Sequence, residues 1–169
     1  MPASARALAG SQEAVRGTIG RILPAALAAL LGDWSPILDE ILAYLKENPT
    51  YYLATVDANG DPQIRPFGTI AQVDGKLYIQ TGKVKEVYRQ ILAHPRAAIC
   101  TMGKDGTWIR IEADFIPDDA PALCDAILDQ YPELRPMYAP GDGNCTALRL
   151  ENIHATLSSF EAPTRVLAE

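Results

Sequence analysis

The chain has 169 residues, 48% hydrophobic and 21% charged, the composition of one ordinary globular domain with an appendage. A formal net charge of −6 opposes a broad phosphate-tracking surface and removes nucleic acid from the expected partners. Cys100, Cys124 and Cys145 show no Cys-x-x-Cys spacing and the only histidines are His94 and His154, a set that suits reduced thiols in a cytoplasm and no protein-held metal.

No apolar run reaches the ~18 residues of a membrane span, so the chain reads as soluble, with no membrane partner and a cytoplasmic location. The apolar stretch Ile22 to Gly32 follows Arg6, Arg16 and Arg21 but starts late, after a polar lead containing Glu13. It therefore reads as part of an N-terminal helical extension over 1–34 rather than as a secretory signal. Within it, Pro24 precedes the strong helix formers Ala25 to Leu31, and Gly32-Asp33 ends the segment.

Ser35-Pro36 supplies an N-cap and a first helical position for a second helix, whose Ile37, Leu38, Ile41, Leu42 and Leu45 form one stripe before Asn48-Pro49 closes it. From Tyr51 the apolar period changes to two. Tyr51 to Val56 is the first predicted strand, Asp57 to Asp61 a hairpin loop, Gln63 to Val73 the second strand, Asp74-Gly75 a tight turn and Lys76 to Thr81 the third. These three are expected to form an antiparallel meander.

Val84 to Ala93 returns to helical spacing and stops before Pro95. Arg96 to Met102 and Thr107 to Ile116 make another hairpin, Ala120 to Gln130 a helix, and Thr146 to Leu150 with Ile153 to Phe160 the closing strands. About seven strands without β-α-β alternation argue for a small antiparallel barrel and against a doubly wound sheet. The domain is placed at 35–161, with 162–169 as a C-terminal tail.

Three segments carry candidate chemistry. Thr81-Gly82-Lys83-Val84-Lys85-Glu86 puts two lysines at a helix N-terminus, which disfavours cations unless an anion relieves them; the segment reads either as a phosphate cradle or as solvated lysines on a turn. Arg65-Pro66-Phe67-Gly68 places a proline and a glycine inside a strand, where a planar ligand lying on the backbone, or an edge position, would explain both. Arg65 could add a bidentate phosphate contact. Trp108 and Arg110 point to one strand face, which suits a flat ligand, a partner subunit or barrel packing.

Taken together, Tyr51-Tyr52-Leu53-Ala54-Thr55-Val56-Asp57, Arg65-Pro66-Phe67-Gly68, Lys76-Leu77-Tyr78-Ile79-Gln80-Thr81-Gly82 leading into Lys85-Glu86-Val87-Tyr88, and His94-Pro95-Arg96-Ala97-Ala98-Ile99 resemble the pyridoxamine 5'-phosphate oxidase-like family of flavin-binding split β-barrels. The resemblance runs over roughly 37–160. It implies a mainly β fold with flanking helices, a homodimer, and FMN at the subunit interface. Arg65, Thr81 and Lys85 would contact the phosphate, with Lys83 one turn position from the family's basic residue, and Phe67 and Gly68 would line the ring; Pro66, Trp108 and Arg110 are cofactor-binding candidates on the residue reading above. The Ser-Arg-Lys triplet of the oxidases proper is replaced by Lys85-Glu86-Val87, and the chain ends nine residues after Phe160, so authentic pyridoxamine 5'-phosphate oxidase activity is not expected.

The functional expectation is an FMN-dependent oxidoreductase acting on a small organic molecule, with the flavin supplying the chemistry and no catalytic side chain identified. The alternatives are a non-catalytic flavin carrier or sensor, and a split barrel that takes haem or a deazaflavin.

Overall fold

A computed structural model describes residues 36–169; the expected N-terminal extension and the Ser35 cap lie outside the described residues. In chain order it holds α1 (Pro36–Glu47), β1 (Tyr51–Val56), β2 (Pro62–Phe67), β3 (Ala71–Val73), β4 (Lys76–Gly82), α2 (Glu86–Ala93), β5 (Arg96–Met102), β6 (Trp108–Asp118), α3 (Pro121–Gln130), a 3-10 turn (Pro132–Leu134), β7 (Cys145–Ser158) and β8 (Arg165–Ala168). All eight strands belong to one sheet, ordered β2-β1-β5-β6-β7-β4-β3, with β8 added beside β7. Every pairing is antiparallel. This is the split antiparallel barrel with flanking helices that the sequence implies.

Alternation along the strands builds the interior. Tyr51 and Leu53 of β1, Ile99 of β5, Ile109 and Ile111 of β6 and Leu148 of β7 are at most 1% exposed and share one cluster. Ile41 and Leu45 of α1 are fully buried against it, each contributing about 1.5–3 kcal/mol by its removal from water. Leu38 and Leu42 flank them half-buried, and Ile37 faces out, so the apolar stripe is narrower than the sequence suggests.

Three expectations are corrected. The second strand is not continuous: it breaks at 68–70 into β2 and β3, which pair with β1 and β4 at opposite edges of the sheet, so no meander forms. Side chains replace the ladder at the break. The Tyr131 hydroxyl donates to Ile70 O at 2.7 Å and accepts from Ile70 N–H at 2.9 Å, while the Tyr51 hydroxyl donates to Thr69 O at 2.6 Å.

The two closing strands, in turn, are one. Asn152 adopts a positive φ of 49° opposite an irregularity at Glu112/Asp114, and its amide donates to Asp114 Oδ2 at 2.7 Å, so β7 bends without ending. The segment read as a tail, finally, contains β8, whose Leu167 is 6% exposed in the main core and whose Arg165 pairs with Glu40 of α1.

Candidate functional site

The break between β2 and β3 opens a cleft of about 350 Å³, within the range of small-molecule sites. Pro66, Phe67, Gly68 and Thr69 from the break, Gln80 of β4 and Lys85 line one side; Tyr131, Leu134, Met137 and Tyr138 line the other, with Pro49 and Glu133 completing it. A Cβ on Gly68 would lie 3.4 Å from Pro49 O, already in close contact. The lining combines apolar and aromatic side chains with few polar groups, the make-up of a pocket for a planar ligand.

One end of the cleft is cationic. Lys85 is the extended N-cap of α2 (φ −79°, ψ 145°), and no side chain caps that helix. The positive end of its dipole therefore lies at the helix end that carries Lys85. The Lys85 ammonium lies 5.6 Å from the centre of the Tyr138 ring. Thr81, near the end of β4, is 1% exposed and its hydroxyl has no partner among the described residues. Gly82 is tightly enclosed, because a Cβ there would come within 2.9 Å of Asn144 Oδ1 and 3.2 Å of Tyr138.

The other predicted residues are distributed differently. Lys83 turns to Asp119, with Nζ 2.5 Å from Oδ2, and Thr146 donates to the second Asp119 oxygen at 2.7 Å. The hydrogen bond from Lys83 holds the Asp119 carboxyl below its usual range, and the carboxylate in turn raises the lysine. The anion that relieves this lysine is supplied by the protein.

Arg65 does not line the cleft. Its guanidinium donates to Leu53 O at 3.1 Å, Thr55 Oγ1 at 2.6 Å and Gln90 Oε1 of α2 at 2.8 Å, and Thr55 also donates to Gln90 Oε1 at 2.6 Å. Burial lowers its pKa, yet an arginine remains charged.

Trp108 and Arg110 lie on the outer face of the sheet. Cross-strand neighbours there run Pro66, Tyr52, Cys100, Arg110 and, one row on, Met102 with Trp108. Trp108 packs against Phe160 with ring centres 5.0 Å apart. The structure thus brings Pro66, Phe67, Gly68 and Lys85 together on one cleft, leaves Thr81 off its lining, and places Arg65, Lys83, Trp108 and Arg110 elsewhere on the chain.

The pyridoxamine 5'-phosphate oxidase family matches residues 37–152 of this sequence. The chain belongs to the pyridoxamine 5'-phosphate oxidase-like family. Among solved structures, a NimC/NimA family protein from Clostridium acetobutylicum is 32% identical over 76% of this chain and 89% of its own, with a TM-score of 0.72. A pyridoxamine 5'-phosphate oxidase-related, FMN binding protein from Nostoc punctiforme shares the fold at 20% identity, covering 78% of this chain and 88% of its own, with a TM-score of 0.59. No curated protein matches the chain.

Membership in this family raises the question of whether the residues present fit FMN, a planar ring system joined to a phosphate. They do. The cleft offers an apolar wall at Pro66 to Gly68, an uncapped helix N-terminus with Lys85 at one end, and a buried polar atom without a partner, Gln80 Oε1.

Gln80 was not among the residues singled out from the sequence. Its signal there is a lone amide in the otherwise apolar strand Leu77-Tyr78-Ile79-Gln80. Nearby, Cys124 and Cys145 are buried thiols; burial, helped by their mutual hydrogen bonding, pushes Cys124 up to about 12, so it stays protonated and unreactive. Among the described residues, no cluster of His, Cys, Asp and Glu is placed to hold a metal, and no helix is long and apolar enough to cross a membrane.

Proposed function

We propose that this protein is a cytoplasmic, homodimeric FMN-binding flavoprotein that acts as a flavin-dependent oxidoreductase on a small organic molecule. The observation that carries the reading is the junction of Lys85 with the uncapped N-terminus of α2 at the end of a largely apolar cleft. Lys85 and the first-turn N–H groups take the phosphate, with the Thr81 hydroxyl of β4. Pro66, Phe67 and Gly68 support the ring. Bound FMN supplies hydride or electron transfer; the protein supplies position, charge and restricted access for water. Arg65, through Leu53 O, Thr55 and Gln90, ties β2 and β1 to the middle of α2, the helix whose N-terminus would meet the phosphate.

The second copy covers the outer face of β2, β1 and β5. Tyr52, Ile64 and Met102 are 50%, 69% and 58% exposed there, adjoining Pro66, Ala54 and Ala98. A sheet face this apolar is the kind of surface that dimers bury. It also carries Trp108 and Arg110, which would then reach the flavin site from the partner.

Reconstitution of purified protein with FMN, followed by gel filtration and an absorption spectrum, tests the reading. A flavin spectrum that elutes with a dimer is expected, and the bound flavin, reduced under anaerobic conditions, should be reoxidised by small organic acceptors. Protein that elutes without flavin rejects the cofactor; a monomer that retains it rejects the dimer.

A further inference from the structure

Gln80 alternates along β4 with Ile79, which lies in the main core, and with Thr81, which is opposite Thr146 in the strand register. It is 4% exposed and lines the cleft floor beside Phe67, Gly68 and Tyr138. Its backbone is fixed to Thr69 twice: Gln80 N–H donates to Thr69 Oγ1 at 2.9 Å, and that hydroxyl donates to Gln80 O at 3.3 Å. The side chain therefore leaves from a rigid point.

Of the amide's polar atoms, Nε2 donates to Cys145 Sγ at 3.3 Å, while Oε1 has no partner among the described residues. Buried amide oxygens are almost always paired, and an open one is a cost that a bound donor recovers. The other polar groups of the cleft are engaged or of another kind. Tyr131 serves Ile70 in both directions, Thr69 Oγ1 serves Gln80, Lys85 is a cation, Glu133 is exposed, and the Tyr138 hydroxyl, which makes no hydrogen bond among the described residues, is not an enclosed atom as Gln80 Oε1 is. Gln80 Oε1 is the buried acceptor left for an N–H donor on a planar ligand.

We propose that Gln80 orients the flavin by its edge, its Oε1 accepting the ring's imide N–H between the two pyrimidine carbonyls. The inference rests on the FMN reading and adds the residue that decides which way round the ring lies. A deazaflavin carries the same imide edge and would satisfy Gln80 equally; haem has no such group.

Binding of FMN and of its N3-methyl analogue, followed by quenching of flavin fluorescence, tests the assignment. Wild-type protein should bind the methylated analogue about tenfold more weakly than FMN, the size of one net hydrogen bond. Gln80→Leu should bind FMN about tenfold more weakly than wild type and should bind the two flavins alike. A purely steric penalty from the methyl group would persist in the variant, whereas a lost hydrogen bond would not.

A variant that keeps the wild-type preference, or a wild type without one, overturns the proposal. Melting of the flavin-free variant checks its fold; if Gln80→Leu does not fold, the isosteric Gln80→Met and the wild-type comparison decide. Wild-type protein that binds neither flavin overturns the FMN reading along with this one. Protein that binds both equally overturns this one alone.

Discussion

Two polar regions flank α2, and they are built on opposite plans. Around Arg65 the protein closes its own accounts: the guanidinium, Thr55, Gln90 and Leu53 O bind one another. At the N-terminal end of the same helix, Lys85 sits over the Tyr138 ring and forms no ion pair among the described residues, the helix lacks a side-chain cap, and Thr81 and Gln80 each keep a buried oxygen without a partner among the described residues. Satisfied networks hold a fold in one arrangement, whereas unsatisfied buried groups mark where something else belongs. The distinction separates two positively charged residues that the sequence presents as equivalent candidates.

The sharpest way to break this contrast is to remove each cation. Lys85→Ala should lower FMN affinity by about 1.5–3 kcal/mol, roughly 10- to 150-fold, the range for hydrogen bonds to charged groups, with an unchanged melting temperature in the absence of flavin. Arg65→Ala should do the reverse. Leaving Leu53 O, Thr55 and Gln90 without their donor should cost about 1–3 kcal/mol of stability in urea unfolding, with a smaller effect on flavin affinity than Lys85→Ala. Equal losses of flavin affinity in both variants would erase the difference between the regions.

A smaller effect sharpens the description of the cleft wall. Tyr131→Phe removes a hydroxyl that both donates to and accepts from Ile70, and should cost about 0.5–1.5 kcal/mol, seen as faster amide exchange at Ile70. If exchange there is unchanged, the strand break is held by Tyr51 and Thr69 alone.

The smallest expected effect concerns Lys83 and Asp119, whose side chains are 30% and 50% exposed and so are well screened by water. Asp119 has a lowered pKa in the folded state, so its contribution is present above the unfolded value near 4 and fades as pH falls through the folded one. Lys83 is raised, so its contribution is present below the unfolded value near 10.4 and fades as pH rises through the folded one. Asp119→Asn should therefore melt slightly below wild type at neutral pH, and the gap should close in acid. A gap that persists at pH ~2, where the wild-type carboxylate is also neutral, would mean that the pair contributes nothing and that Asp119 acts through its bond from Thr146.

Much of this architecture is legible in local patterns. The stripe of α1, the alternation of β1, the turn at Asp74-Gly75 with its two positive φ values, and the helix that stops before Pro95 all depend on residues within one element or its cap. The errors arise where distant residues decide. Nothing near Gly68 announces that Tyr131, 61 positions beyond Ile70, will take over both backbone groups at the strand break. Nothing in Glu151-Asn152 shows that Asp114 will carry β7 through a bend, and the four residues of β8 are too few for periodicity to register. In the candidate site, Pro66 to Gly68 and Lys85 are visible as residue types out of place in their elements. Lys83 is equally visible, but its partner Asp119 lies 36 positions away, so its neutralisation is not.

The length of β7 has a consequence for synthesis. Among the described residues this 14-residue strand is the only one that links β6 to the β3–β4 hairpin, and β8 docks on its far half. When Gly82 is added to the growing chain, its strand partner Cys145 is still 63 codons from being read. At 5–20 residues per second, β4 waits on the order of seconds with Leu77, Ile79 and its edge exposed. Early hairpins of this chain are thus born sticky, and a ribosome stalled anywhere before codon 145 would hold out a half-sheet suited to chaperones or to another nascent copy.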